Sequence, residues 1–206
     1  MITVRDPSRL IELPEPDLTG QETLEHVLAS RRSIRNFARG SMTMAELGQL
    51  LWAAQGISDP SGLRTAPSAG ALYPLELYAI VGALEDLAAG IYRYLPRRHG
   101  LDLVAKGEFH AEFAAAALMQ EWTVQSGLIL IVAAAFDRTT VKYGERGRRY
   151  VAIEAGHAVQ NVYLQSVALG LGATEVGAFR DDAVAHLVRL PSDQEPVTSV
   201  VVGKPA

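Results

Sequence analysis

A chain of 206 residues with 49% hydrophobic and 20% charged content has the size and make-up of one folded domain. Its formal net charge of -4 disfavours a general nucleic-acid binder. The absence of cysteine excludes disulfides, thiolate nucleophiles, cysteine-based zinc sites and CxxC redox pairs together, so redox chemistry here needs a bound cofactor.

The start of the chain has no apolar core of signal-peptide length, and the longest apolar run, 127–136, falls far short of the roughly 20 residues a spanning helix needs. A cytoplasmic protein with no membrane segment is the expectation. Residues 1–20, with Pro7, Pro14 and Pro16, read as an extended N-terminal arm that wraps the core or crosses onto a partner. A short helix over 23–30 runs into Arg31-Arg32-Ser33-Ile34-Arg35-Asn36-Phe37. The next helix starts at a capping box, Thr43 with Glu46, buries Leu47, Leu50, Leu51 and Ala54, and ends at Gly56. The Ser-, Gly- and Pro-rich segment 58–70 is a loop, leading into a strand over 75–81. A hairpin is expected from 90–96 and 101–105.

Residues 108–120 are alanine-rich and helical, and 128–135 are continuously apolar, as a central strand covered on both faces should be. The polar stretch 136–148 suits an exposed turn and helix above that strand. Then comes the segment around which the fold is built, 149–172. Val151, Ala155, Ala158, Val159 and Val162 recur at helical spacing, leaving only a narrow polar edge of Glu154, His157, Gln160 and Asn161. A helix so apolar should be buried, its polar members finding partners in the fold or across a subunit interface. A short strand ending at Gly177, a helix over 181–190 capped by Asp181 or Asp182, and a strand over 197–202 complete the chain. About four strands and six helices result, an α+β or mixed three-layer single domain over 1–206.

Arg31, Arg32, Ser33 and Arg35 are the densest cationic cluster. Bidentate donors that do not titrate suit a phosphate monoester, and a solvated turn is the plainer reading. Residues 65–74, TAPSAGALYP, are small enough to bring backbone against a flat ligand, or are simply a tight loop. Ser68 is in no GxSxG elbow. Gly170, Gly172 and Gly177 have the wrong spacing for a dinucleotide fingerprint and follow a helix where that turn follows a strand. The five histidines are dispersed with no HxxxH or HxH spacing, so no metal site is expected.

In order and at these distances, Arg31-Arg32-Ser33-x-Arg35-x-Phe37, 50–56, 64–74, Lys142-Tyr143-Gly144-Glu145-Arg146-Gly147 and Glu154-Ala155-Gly156-His157-x-x-Gln160-Asn161 resemble the flavin-dependent nitroreductase superfamily. Within it the chain looks most like the SagB/ThcOx-type dehydrogenases, which oxidise azoline rings in ribosomally made peptides. The resemblance implies a nitroreductase-like three-layer fold, a central mixed sheet flanked by helices, in an intertwined homodimer with FMN at the subunit interface. It implies that Arg31, Ser33 and Arg35, with Arg32 beside them, hold the phosphate and ribityl end and that Lys204 lies near the phosphate. It implies that Pro67, Ser68, Ala69, Gly70 and Ala71, from the other subunit, lie along the isoalloxazine ring. Val176 and Gly177 match the strand end over the flavin face, and Lys142 and Tyr143 match a base and proton-donor pair of azoline-oxidising relatives.

Two positions depart from the pattern: the usual loop asparagine is Ala71, and the usual glutamate before the glycine is Val176. The leading expectation is hydride transfer through flavin N5 in a SagB-type enzyme acting on a small molecule or an azoline-containing peptide. A general nitroreductase or enone reductase drawing on NAD(P)H is the first alternative, and a protein that binds FMN or another phosphorylated ligand without turnover is the second.

Overall fold

A computed structural model describes residues 10–38, 42–82, 84 and 86–206. Among them one sheet has seven strands, β1 (Leu10–Glu12), β2 (Leu75–Val81), β3 (Gly90–Leu95), β4 (Gly100–Lys106), β5 (Leu128–Ala134), β6 (Gly172–Val176) and β7 (Glu195–Gly203), in the order β1-β4-β3-β2-β5-β7-β6. Six α-helices surround it: α1 (Leu24–Ser30), α2 (Met44–Gln55), α3 (His110–Ala116), α4 (Asp137–Tyr143), α5 (Arg146–Ala168) and α6 (Asp181–Leu187).

Every residue of β5 is buried. Its alternate side chains divide between two cores, as the two-residue period of a strand requires. Leu128, Leu130 and Val132 join Leu75, Leu77 and Val200 against residues of α2 and α5. Ile129 and Ile131 join Tyr78, Ile80 and Val201 against Phe113 of α3 and Val184 of α6. Three layers result, with the sheet in the middle, and an apolar run without alternation is what two covered faces demand.

The expectation of a mixed sheet is corrected, since among the described residues the pairings between the seven strands are antiparallel. The crossover from β5 through α4 and α5 does return parallel, but β7 is inserted between β5 and β6 and pairs antiparallel with both. The expected total of about four strands was also too low: the six segments read singly as strands all form, and the N-terminal arm adds a seventh at the edge, where Leu10–Glu12 pairs with β4. Farther along the arm, Pro14 O lies 2.9 Å from His99 Nε2, and Gln49 exchanges hydrogen bonds of 2.8 and 2.9 Å with the Asp17 backbone. Residues 1–9 of the arm lie outside the described residues.

The capping box forms as expected, with Glu46 N–H donating to Thr43 Oγ1 at 3.1 Å and Thr43 N–H to Glu46 Oε2 at 2.6 Å. Neither Asp181 nor Asp182 caps α6; both sit in its first turn, where a carboxylate still favours the helix dipole. The helical expectation over 108–120 shortens to α3, followed by a turn in which Leu118 and Met119 both have positive φ.

The core of α5 packs as its pattern predicts, through Val151, Ala155, Ala158, Val159 and Val162. It is not wholly buried, however. Ile153 is 49% exposed and Gly156, His157 and Gln160 line the same open side, next to Leu24 and Leu28 of α1 at 60% and 51%. The apolar stripe is wider than one chain's core can cover.

Candidate functional site

The cationic segment is held along the free side of β6. Ser33 forms a parallel bridge to Ala173, and Ile34 N–H donates to Ala173 O at 3.0 Å. Arg31, Ser33 and Arg35 stand at alternate positions, while Ile34 turns to Gly172, where a Cβ would lie 2.8 Å from Ile34 Cγ2. The end of the chain closes the same corner: Ala38 N–H donates to Lys204 O at 2.9 Å and Ala206 N–H to Asn36 O at 3.1 Å. The structure therefore sets the backbone of Lys204 beside Ala38, just past the segment that carries Arg31, Ser33 and Arg35, from the opposite end of the sequence.

Tyr163 of α5, which stands outside every motif of the sequence, ties this corner to the helix. Its phenol oxygen accepts from Glu175 N–H at 2.6 Å and lies 3.5 Å from Ser33 Oγ. The Arg31 guanidinium carbon stands 5.2 Å from the Tyr163 ring centroid. Because that oxygen accepts from Glu175, its own proton is available to Ser33 or to a ligand. The tyrosine sits in the apolar register of α5, so periodicity alone marks it as core. Arg32 has a different task from its neighbours. Its Nη1 donates to Ala29 O at 2.9 Å and Arg31 O at 2.7 Å, which satisfies carbonyls at the end of α1.

Val176 and Gly177 lie at the far end of β6. The Val176 side chain is buried in the core on the α3 and α6 side, and its carbonyl accepts from Ser199 Oγ at 2.8 Å. It can offer a ligand only backbone. Gly177 is exposed, with no heavy atom within 4 Å of where a Cβ would stand, so the backbone there is open to close approach.

The second group of expected residues meets elsewhere. The 3₁₀ turn Ala69–Ala71 contains Gly70 at φ 64 and Ala71 at φ 53. A Cβ on Gly70 would come 2.8 Å from Tyr143 Oη and 2.9 Å from Lys142 Nζ, so the loop and α4 are in direct contact through a residue that has no side chain. Tyr73 N–H donates to Ser68 Oγ at 2.9 Å, and the Arg64 guanidinium carbon lies 4.6 Å from the Tyr73 ring centroid. From α5, Asn161 Nδ2 donates to Ala53 O at 2.9 Å and to Thr65 O at 3.4 Å, anchoring the base of the loop. The polar edge of the central helix thus has its partners inside the fold at Asn161 and at Glu154, which faces Ser68 and Arg64. Burial, its largest influence, raises Glu154 to about 7.

Arg64 also lines a cavity of about 470 Å³ with Gln55, Tyr94 and the hairpin-tip residues Arg97 and Arg98. None of the residues expected to hold flavin lines it.

Within one chain the two groups touch α5 at Tyr163 and near Glu154, nine residues or roughly 14 Å apart along the axis. Their chemistry fits a flavin mononucleotide in two parts. One corner offers fixed positive charge and hydroxyls for a phosphate, and the other offers small side chains and open backbone for a planar ring.

Comparison with known proteins gives the family. Residues 28–204 match the family model described as the nitroreductase family, and the chain belongs to that family. It is 41% identical over 194 residues to MJ1384 of Methanocaldococcus jannaschii, a candidate nitroreductase, covering 94% of this chain and 96% of that protein. It is 28% identical over 170 residues to the microcin B17-processing protein McbC of Escherichia coli, spanning 62% of McbC's length. Among solved structures it superposes on a candidate nitroreductase from Ralstonia eutropha with a TM-score of 0.81 and 29% identity, over 96% of this chain and 90% of the other. The fold, the family and its flavin-linked oxidoreductase character follow. No helix among the described residues is long and apolar enough to cross a membrane.

Proposed function

We propose that this chain is an FMN-dependent oxidoreductase of the general nitroreductase or enone-reductase kind, with NAD(P)H as electron donor. The observation that carries the reading is the cationic segment 31–35 laid along β6, with Arg31 and Ser33 tied to the central helix by Tyr163 and the backbone of Lys204 bonded to Ala38 just beyond it. Guanidinium and ammonium groups with no ion pair among the described residues are the donor set a phosphate monoester needs. Bound FMN supplies reversible hydride exchange. The protein's part is to fix the phosphate at that corner, to seat the ring against backbone at Gly177 and the loop 67–71, and to leave one face open to alternating substrates.

Because the two groups of residues lie apart along α5, the site closes best in a homodimer, with the loop of one copy completing the phosphate corner of the other. The open side of α5, with Ile153, and of α1, with Leu24 and Leu28, is the apolar surface such a dimer covers.

The first test is the absorbance spectrum of the purified protein, followed by identification of any compound released on denaturation. Two flavin bands, about one FMN per chain and bleaching by NAD(P)H are the expected result. A colourless protein that refuses added FMN overturns the reading.

The contact of Lys142 and Tyr143 with Gly70 favours a second reading, a SagB-type dehydrogenase acting on an azoline-bearing peptide, and the similarity to McbC supports it. The full-length likeness to the Methanocaldococcus and Ralstonia chains favours the general reductase over it. Oxygen-dependent oxidation of an azoline peptide, lost in Lys142→Ala while NAD(P)H oxidation with a small acceptor is retained, would reverse that order.

A further inference from the structure

Beneath the loop 64–73 lies a carboxyl group that the phosphate and ring contacts leave unused. Glu154 is 3% exposed, and its Oε1 has no hydrogen-bond partner among the described residues. An ionised carboxylate with a bare buried oxygen is costly. The loop above it is closed on itself: Ser68 Oγ accepts from Tyr73 N–H, and the Tyr73 phenol accepts from Arg64 N–H at 3.3 Å. Ser68 therefore touches Glu154 on one side and holds the exit of the loop on the other.

We propose that Glu154 is a positioning residue for the loop: the protonation state of this one carboxyl sets how firmly residues 64–73 close on α5, and with it the fit of FMN. The second half rests on the loop being the flavin-ring contact; the first half does not. The charged and titratable groups around the carboxyl are few. Arg64 reaches it from the loop, with Glu76 of β2, Arg138 of α4 and Tyr73 acting through Arg64. Lys142 and Tyr143 of α4 stand across Gly70.

The direction of the effect follows from which interactions win. Burial outweighs the Ser68 hydrogen bond and the Arg64 charge and holds Glu154 at about 7, against an ordinary 4.5. Opening the loop hydrates the carboxyl and returns it toward the ordinary value. The closed loop thus binds the proton more tightly than the open one. By linkage, closure is favoured at low pH and lost as pH rises through about 7. With those two values the opening equilibrium rises about tenfold between pH 6 and pH 8.

The test is hydrogen exchange read by mass spectrometry on flavin-free protein, over peptides covering 64–73 at pH 6 and pH 8, corrected for intrinsic rates. Opening rises about tenfold in the wild type and stays level in Glu154→Gln. Ser68→Ala removes a bond that favours the carboxylate, so its transition moves to higher pH; this variant keeps the proposal testable where Glu154→Gln does not fold. FMN affinity, read by quenching of flavin fluorescence, weakens over the same interval in the wild type only. Equal opening at both pH values in the wild type, or a Glu154→Gln variant that follows the wild type, overturns the proposal while leaving FMN uptake to stand. A wild type whose loop responds but which takes up no FMN retires the flavin reading and upholds Glu154's control of the loop.

Discussion

Arg31 and Arg35 are held by different means, and that difference matters for testing the proposed phosphate site. Arg31 is braced over the Tyr163 ring, whereas Arg35 extends from an exposed position beside the chain end that carries Lys204. Replacing either with alanine is expected to weaken FMN binding by about 1.5–3 kcal/mol for each charge-assisted hydrogen bond removed. Titration of the two variants with FMN checks this, and unchanged affinity in both would sink the phosphate assignment. Ala71 is a second informative residue. It holds φ 53 without being glycine, at a position where the resemblance places asparagine, a residue that tolerates the left-handed region better. Ala71→Gly is expected to raise stability by roughly 1 kcal/mol by removing the Cβ clash, visible as a higher midpoint in urea. A lower midpoint would show that the methyl group packs usefully against the loop.

Between elements, the decisive contact is the seam between the segment 31–37 and β6. It exists because Gly172 leaves room for Ile34, and next to it Gly203 of β7 leaves room for Phe37. A methyl group at 172 would stand 2.8 Å from Ile34 Cγ2, too close to persist. Gly172→Ala should therefore cost about 1–3 kcal/mol and displace the cationic segment. The double variant Gly172→Ala with Ile34→Ala should recover part of the loss, and a cycle of denaturation measurements would read the coupling. If the two losses simply add, the seam is not what positions the arginines. The same seam sets Gly170 and Gly172 apart. Gly170 does end α5, at φ 67, but the role of Gly172 lies in a contact with residue 34 that no local pattern reveals.

For the whole molecule, the apolar excess of α5 and α1 predicts association. Sedimentation of the wild type should report a dimer, and Ile153→Lys, which puts a charge on the open side, should release monomers with weakened FMN retention. A wild type that sediments as a monomer while holding FMN tightly would mean that one chain completes the site alone. Much of this architecture was legible beforehand: the capping box at Thr43, the β3–β4 hairpin, the doubly covered strand β5 and the cationic segment all follow from local pattern and charge. Those are properties a short stretch of chain carries by itself, because turn chemistry, two-residue and helical periods and side-chain charge are set within a few residues. Tertiary structure alone decided what depends on distant neighbours. It inserted β7 between β5 and β6 to make the sheet antiparallel, and it brought Lys204 beside Ala38. It also turned Tyr163 from a core residue into a bridge, and buried Glu154 beneath a loop some 90 positions away. A carboxyl group shows its charge in the sequence, but the burial that decides whether it keeps that charge is a property of everything packed around it.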